Sequence, residues 1–177
     1  MQTFIRFSLF SLLLFGFIGC SSPRMTLLDV KATSDKLATD KAYNAITSIL
    51  VDKGFDVKVA NKDIGLITTE YKKFGSVDGD PSFDFYLQIK AQATSRPDGK
   101  LQVKLTPQVK EVNRLNSAAF TERDLVFLSD EEQKGYLNAL EETNLKGQLL
   151  FMNVVQAVSE SLGIGMEQLE YDKKLSD

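Results

Sequence analysis

Residues 83–110, FDFYLQIKAQATSRPDGKLQVKLTPQVK, decide the fold of this chain. Apolar and polar side chains alternate along residues 83–94 and again along residues 101–110, and a period of two is typical of strands that bury one face. Asp98-Gly99 between them is a strong turn signal. The stretch therefore predicts a β-hairpin. Pro107 has no N–H to donate, so it predicts that the second strand is an edge strand or contains a bulge.

Upstream of this hairpin, residues 35–53 have the periodicity of an amphipathic helix. Its apolar stripe consists of Ala38, Ala42, Ala45, Ile46, Ile49 and Leu50. Ser34 or Thr39 can cap its start, and Gly54 is placed to end it in a left-handed turn. Residues 55–60 and 64–71 then alternate on either side of a polar turn, which predicts a second hairpin.

Downstream, the composition of residues 75–82 predicts a loop, and residues 114–128 show no clear pattern. Ser129-Asp130-Glu131-Glu132 forms a capping box that predicts a helix start. The apolar face of the last helix is predicted to comprise Phe151, Val154, Val155, Val158 and Leu162, with Gly163 and Gly165 ending it. The predicted fold is a two-layer α+β domain, in which two helices cover one face of an antiparallel sheet of about four strands and leave the other face open.

The N-terminal residues predict export. An uncharged apolar run from Phe7 to Ile18 follows Arg6 and precedes Cys20, the only cysteine. The run is shorter than the roughly 20 residues of a membrane-spanning helix and has the arrangement of a signal peptide. The alternative is a plain secretory signal followed by an incidental buried cysteine. The predicted organisation is a signal peptide at 1–19, a tether at 20–34, one α+β domain at 35–165 and an acidic tail at 166–177. Within the tether, residues 25–30 could alternatively add an edge strand to the sheet.

The residues around the cysteine resemble a bacterial lipobox over Phe17-Ile18-Gly19-Cys20. The resemblance implies cleavage before Cys20, which would then carry diacylglycerol and an acylated amino group. It also implies that Ser21 and Ser22 do not retain the protein in the inner membrane. The expected location is therefore the outer membrane, with the domain facing the periplasm.

Composition excludes several classes of function. Removing residues 1–19 leaves 158 of 177 residues, enough for one domain with its own core. The chain has no histidine, so a Ser-His-Asp triad and the usual zinc sites are ruled out. A net charge of −3 gives no electrostatic reason to expect nucleic acid as a partner. No cofactor or metal is predicted.

A second resemblance covers residues 41–71, where a helix leads into a hairpin. The helix is followed by Gly54 and Phe55, and the hairpin has Gly65, Thr69 and Tyr71 in a Gly-x-x-x-Thr-x-aromatic arrangement. These residues resemble the repeated domains of the BamC (NlpB) lipoproteins. The resemblance implies a helix-grip fold, a sheet held by a long C-terminal helix, and an accessory role in outer-membrane β-barrel assembly.

Several side chains are candidates for binding. The open sheet face is predicted to present a partner surface that includes Lys58, Tyr86, Lys90 and Lys104, and the alternative is a solvated face that discourages edge pairing. Tyr71 and Phe74 are further candidate anchors. Two sets of carboxylates are weaker candidates, for calcium and for hydrolysis respectively: Asp78, Asp80 and Asp84; and the pairs Glu131-Glu132 and Glu141-Glu142. Adjacent residues on a helix diverge, which disfavours the pairs as a catalytic centre.

The predicted function is therefore that of a non-enzymatic lipoprotein. It would be held in the membrane by lipid at Cys20 and would bind another envelope protein through the open sheet face or a sheet edge. The alternative is a carrier of a small apolar or lipid ligand, held between Phe85, Leu87 and the last helix. A carboxylate hydrolase is a more distant third hypothesis.

Overall fold

The structure is a computed structural model that describes residues 25–35, 37–79, 81–127 and 139–175. The strands are β1 (Met25–Ser34), β2 (Val57–Asn61), β3 (Leu66–Thr69), β4 (Lys72–Val77), β5 (Phe83–Ser95), β6 (Leu101–Asn113), β7 (Phe120–Phe127) and β8 (Glu170–Leu175). The helices are α1 (Thr39–Asp52) and α2 (Ala139–Leu162), and a 3₁₀ turn covers Met166–Gln168.

The eight strands form one antiparallel sheet in the order β2-β3-β5-β6-β7-β1-β8, with β4 also paired to β5. At its centre lies the predicted hairpin, paired continuously from Phe83 opposite Asn113 to Ser95 opposite Leu101. The α+β class and the antiparallel sheet are confirmed. The sheet is twice as large as predicted, because β1, β4, β7 and β8 were not anticipated as full strands.

Residues 25–34 belong to the sheet, so the predicted tether is wrong over this range. Strand β1 pairs with β6, β7 and β8. Its buried side chains Leu27, Val30 and Ala32 join the core, which provides the apolar burial that a tether would lack.

The predicted acidic tail is also wrong over residues 166–175. Strand β8 pairs with β1 from Lys31 opposite Glu170 to Met25 opposite Leu175. The pairing is made by the backbone, so the charged side chains of β8 can remain in solvent. Tyr171 is its partly buried contact with the core.

Strand β4 covers residues 75–77, which were predicted as part of a loop. Gly75 does not form a turn there; it allows the strand to pack closely against α2. A Cβ on Gly75 would lie 2.6 Å from Cγ2 of Thr143 on α2, so the helix approaches the strand closely here. Strands β3 and β4 run one after the other along β5, and the pairing register shifts between them.

Strand β6 has neighbours on both sides, so the prediction that Pro107 marks an edge is wrong. Beyond β5, its partners are β1 up to Leu105 and β7 from Gln108, so Pro107 lies where β6 changes from one partner strand to the other. Its partner Ile89 directs its N–H toward Thr69 on β3. The nitrogen of Pro107 therefore points away from β5, toward this change of partner, where the missing donor leaves no ladder bond unmade.

Both helices cover one face of the sheet and contact each other. The five predicted core residues of α2 are buried, and Gly54 ends α1 with φ at 75° as predicted. The predicted caps are wrong, because Ser34 ends β1 and Thr39 is already helical; Ala38 is the cap residue and makes no side-chain cap bond. The capping box at 129–132 lies outside the described residues. Neither α1 nor α2 combines the length and the hydropathy of a membrane-spanning helix.

Candidate functional site on the open face of the sheet

The face of the sheet opposite the helices carries a cluster of aromatic and charged side chains. Tyr86 on β5 lies opposite Lys110 on β6, which lies opposite Glu122 on β7. Phe120 is two residues from Glu122 on the same strand and therefore shares its face. We call Tyr71, Tyr86, Lys110, Phe120 and Glu122 the aromatic cluster.

The aromatic cluster is held together by polar contacts. The hydroxyl of Tyr71 donates a hydrogen bond to Oε1 of Glu122 at 2.8 Å, and Nε2 of Gln108 donates to Oε2 at 3.0 Å. Nζ of Lys110 lies 4.0 Å from the ring centroid of Phe120 and 5.6 Å from that of Tyr71. An ammonium group above aromatic rings is attracted to their faces, so Lys110 links the two rings.

Phe120 is the most prominent apolar group of the aromatic cluster, with 53% of its surface exposed. Tyr71 behaves differently, because partial burial, together with its hydrogen bond to Glu122 and the charge of that carboxylate, raises the pKa of its hydroxyl well above the ordinary value. The phenol stays neutral and acts as a donor at physiological pH. The cluster thus offers aromatic surface, one cation and one anion to a partner.

The hairpin of β2 and β3 places Tyr71 on the open face. Thr69 is fully buried, and its Oγ1 accepts the N–H of Ile89 at 3.0 Å. Its carbonyl accepts Nε2 of Gln88 at 2.8 Å. These two bonds hold the chain where the register shifts between β3 and β4, so Tyr71 emerges at the shift.

Gly65 fixes the other end of the same segment. Its carbonyl accepts the N–H of Ala93 at 2.9 Å, and a Cβ at this position would lie 1.8 Å from the carbonyl oxygen of Ala93. Its φ of 64° is also unfavourable for other residues. Gly65, Thr69 and Tyr71 therefore each have a distinct structural role in the hairpin.

Three of the four residues predicted as a partner surface, Tyr86, Lys90 and Lys104, lie on the open face. Lys104 is engaged within the domain, because its Nζ lies 3.0 Å from Asp29 on β1. Lys58 is separate from this group. It occupies a register shift in β2, at the edge of the sheet, and forms an ion pair with Glu70 at 3.6 Å.

Two of the carboxylates considered for calcium binding, Asp78 and Asp84, accept hydrogen bonds from Arg114. Asp84 Oδ1 accepts hydrogen bonds from Nε of Arg114 at 2.7 Å and from Ser76 at 2.8 Å, and it lies 2.9 Å from Nζ of Lys73. Asp78 accepts Nη1 of Arg114 at 2.6 Å. Desolvation opposes ionisation of Asp84, but these bonds outweigh it and lower its pKa to about 2. Asp80 lies outside the described residues, and within them no group of three or more acidic or cysteine ligands could hold a metal ion.

Of the two acidic pairs considered for hydrolysis, Glu141-Glu142 lies within the described residues. Glu142 pairs with Lys146 one turn along α2 at 2.8 Å, and this contact lowers the pKa of Glu142. Glu131-Glu132 lies outside the described residues. The notable charged group of the helical face is instead Arg123, a residue that the sequence pattern did not single out.

Arg123 lies between the sheet and α2. Its Nη2 donates to Asn144 at 2.7 Å, its Nε is 3.5 Å from Glu111, and its guanidinium lies 5.6 Å from the ring centroid of Phe85. Burial lowers the pKa of Arg123, against the opposing effect of Glu111. These contacts satisfy the guanidinium of Arg123, and this side chain links β7 to α2.

Two described parts of the interface between the sheet and α2 are closely packed. Phe85 and Leu87 are buried in the core. A cavity of about 10 Å³ lies at another part of the interface, among Val30, Val103, Val155 and Ser159. That is room for about one water molecule, whereas ligand pockets have roughly 300–1,000 Å³.

Phe120 and Glu122 were not among the residues predicted from the sequence, because residues 114–128 had no assigned structure. A signal was present, since FTERDLVF begins with an aromatic residue and ends in β-forming residues after a polar turn at 113–119. The charged residues Glu122 and Arg123 obscure the apolar–polar alternation of this strand in the sequence. In the folded domain both have polar partners.

Comparison with known proteins gives structural likenesses only. No protein-family model matches this chain, and no curated protein matches it. A crystal structure of a DUF4468 family protein from Bacteroides ovatus is 11% identical, with a TM-score of 0.45, and the match covers 78% of this chain and 86% of that one. A TBP-like protein from Parabacteroides distasonis is 14% identical, with a TM-score of 0.39, covering 74% and 90%.

Proposed function

We propose that this protein is a non-enzymatic lipoprotein of the bacterial envelope, anchored in the outer membrane through Cys20, that binds another envelope protein through the aromatic cluster. The lipobox-like residues 17–20 support the anchor. The resemblance of Gly54, Gly65 and Thr69 to the BamC repeats supports an accessory role in envelope assembly.

One observation carries the binding proposal: Phe120 is half exposed on the open face of the sheet, next to a cation. Aromatic residues contribute most of the binding energy at many protein interfaces, especially near charged or polar groups that can be desolvated. Lys110 lies directly over the ring, and Tyr71 and Tyr86 lie nearby on the same face. A partner that covers Phe120 would therefore bury aromatic surface from three residues.

The structure favours this end of the open face over the lysines predicted first. Lys104 and Lys58 are neutralised by Asp29 and Glu70, so a partner would have to replace an existing ion pair. Surface ion pairs contribute little to binding energy in any case. Lys90 forms no ion pair within the described residues and can contribute at the margin of the interface.

The anchor is tested by exporting the full chain and measuring the intact mass of the mature protein. The proposal expects a diacylglycerol adduct at Cys20 and recovery in the membrane fraction. Cys20→Ser should release the domain into the soluble fraction. An unmodified cysteine on the exported protein would refute the anchor.

The binding surface is tested by placing a photo-crosslinking amino acid at Lys90, an exposed residue on the same face and strand as Tyr86, and at Leu149 on the helical side. We expect one discrete adduct from Lys90 and none from Leu149. Phe120→Ala should weaken that adduct by about 30-fold, which corresponds to a hot-spot loss of about 2 kcal/mol.

Leu149→Ala is the matched control for Phe120→Ala, because 55% of Leu149 is exposed, close to the 53% of Phe120, but on the opposite layer. It should leave the adduct unchanged. Equal crosslinking from both positions, or an adduct indifferent to Phe120→Ala, would reject the aromatic cluster as the interface.

A further inference from the structure

Two rings of the aromatic cluster converge on one positive charge. The Nζ atom of Lys110 lies 4.0 Å from the ring centroid of Phe120 and 5.6 Å from that of Tyr71. Both distances fall within the roughly 6 Å over which the negative face of an aromatic ring attracts a cation, and rings that converge in this way form ammonium-binding sites. The two rings therefore form a site for a cation, and the chain's own lysine fills it.

The carboxylate of Glu122 adds negative charge beside this site. Glu122 is exposed and lies opposite Lys110 in the pairing of β6 with β7, and such neighbours have Cβ atoms about 5 Å apart. Its oxygens accept hydrogen bonds from Tyr71 and Gln108, but no lysine or arginine in the described part of the chain forms an ion pair with it. A carboxylate has about four acceptor positions, so Glu122 can accept further hydrogen bonds from a cation.

Lys110 is held at the rings weakly enough to be displaced. An exposed cation–π contact favours the bound position by a factor of only about two to five. Lys110 has no ion pair with a described acid that would hold it more firmly. Phe120 is half exposed, so another group can reach its ring from solvent while the flexible lysine side chain turns away. Lys110 therefore marks the site and leaves it open to exchange.

From these contacts, we propose that the aromatic cluster binds a lysine or arginine side chain of the partner, which replaces the ammonium group of Lys110 at the rings of Phe120 and Tyr71. The inference deepens the proposed function and rests on it for the source of the cation. An anionic side chain is disfavoured, because it would lie beside Glu122. An apolar side chain is disfavoured as well, because it would bury the carboxylate of Glu122 without giving it a partner.

The probe for the site is tetramethylammonium, a cation that binds ring faces and donates no hydrogen bond. It is titrated into the purified exported protein in non-ionic detergent, and the ring signals of Phe120 are followed by NMR, with Phe120→Leu identifying them. The neutral control is tert-butanol, which has a similar size. We expect the signals to shift saturably with tetramethylammonium and at least about fivefold less with tert-butanol at equal concentration. Equal shifts from both compounds would show apolar contact alone and overturn the inference.

Removing Lys110 tests whether it competes for the site. Lys110→Ala vacates the rings and should raise the affinity for tetramethylammonium about two- to fivefold, which is the contribution of an exposed cation–π contact. Lys90→Ala is the matched control, because it removes a lysine from the same face, four residues from Tyr86 along β5, and it should leave the affinity unchanged. Glu122→Gln should lower the affinity about twofold, as expected for a surface charge pair. No gain in Lys110→Ala, or an equal gain in Lys90→Ala, would overturn the inference.

Crosslinking from position 90 separates this inference from the proposed function. Lys110→Ala should strengthen the partner adduct, whereas an adduct weakened by this change would show that Lys110 itself contacts the partner and would overturn the exchange. If the adduct forms and depends on Phe120 but tetramethylammonium does not bind, partner binding stands and the cation site fails alone. If tetramethylammonium binds as expected but no adduct forms, the cation site stands without the proposed partner.

Discussion

Replacing Gly65 by alanine is the sharpest test of how the hairpin of β2 and β3 is attached to the sheet. The added Cβ would lie 1.8 Å from the carbonyl oxygen of Ala93 and 2.9 Å from its carbonyl carbon. Both atoms are backbone in the long strand β5, so no side-chain rotation relieves the contact. The hairpin has to move away from β5 by more than 1 Å to reach ordinary contact distance.

Two contributions set the expected loss of stability. A positive φ costs an alanine about 1–2 kcal/mol. Moving the hairpin also breaks the hydrogen bond from the N–H of Ala93 to the carbonyl of Gly65. Ala93 is 1% exposed, and an unsatisfied buried donor costs about 1–3 kcal/mol. The expected destabilisation by Gly65→Ala is therefore about 2–5 kcal/mol.

Gly99→Ala is the matched control, because Gly99 has φ at 80° but no atom within 4 Å of its Cβ position. It should lose only the contribution from φ. The assay is urea unfolding of residues 20–177 with Cys20→Ser, followed by circular dichroism since the chain has no tryptophan. A difference between the two variants of less than about 1 kcal/mol would refute the close approach of Gly65 to β5.

Three further predictions concern contacts within the domain. Thr69→Val should cost about 1–3 kcal/mol by leaving the N–H of Ile89 unsatisfied, and hydrogen exchange at Ile89 should accelerate, whereas Thr69→Ser should restore both. Because the pKa of Asp84 is lowered to about 2 from an ordinary value of about 3.9, its carboxylate stabilises the fold above pH 4, and that contribution is lost as the pH falls toward 2. Acid titration of wild type should therefore show a steeper loss of stability over pH 4 to 2 than Asp84→Asn, and equal slopes would contradict this assignment. Gly147→Ala would place a Cβ 2.8 Å from the ring of Phe74 and should cost about 1–3 kcal/mol; Phe74→Leu in the same chain should recover part of this loss in a double-mutant cycle, and strict additivity would count against the contact.

The sequence predicted the parts of the fold whose information is local. The central hairpin follows from the alternation of residues 83–94 and the Asp98-Gly99 turn, both of which act within a few residues. The buried face of α2 and the left-handed turn at Gly54 are local as well. These features depend on residue periodicity and on the backbone preference of single glycines. Residues distant in sequence are therefore not needed to predict them.

The parts that the sequence did not predict depend on distant partners. Strand β8 carries four charged residues among six, and only its pairing with β1, about 140 residues away in the chain, makes it a strand. Gly75 resembles a turn residue until Thr143 is placed against it. Pro107 resembles an edge marker until β1 and β7 are seen to pair with β6 on either side of it. In each case tertiary contact overrides local preference.

The candidate site shows the same division. Tyr71 and Tyr86 were identified as possible anchors because aromatic residues beside a predicted sheet edge can be recognised from sequence. Phe120 was missed, although its exposure makes it the centre of the proposed interface. Lys58 was placed with the open-face lysines, because a register shift in β2 cannot be foreseen from a five-residue strand.

The pairing of β1 with β6, β7 and β8 has a consequence for the order in which the domain can assemble. As the chain is synthesised, β1 emerges first, but its ladder partner Leu101–Leu105 follows some 70 residues later, and β8 follows last. The central hairpin closes a short loop and can form early, whereas β1 must wait for it, since long loops are slow to close. Cooperative folding of the whole sheet is thus delayed until β8 is available. In a nascent chain of intermediate length, β1 is still unpaired.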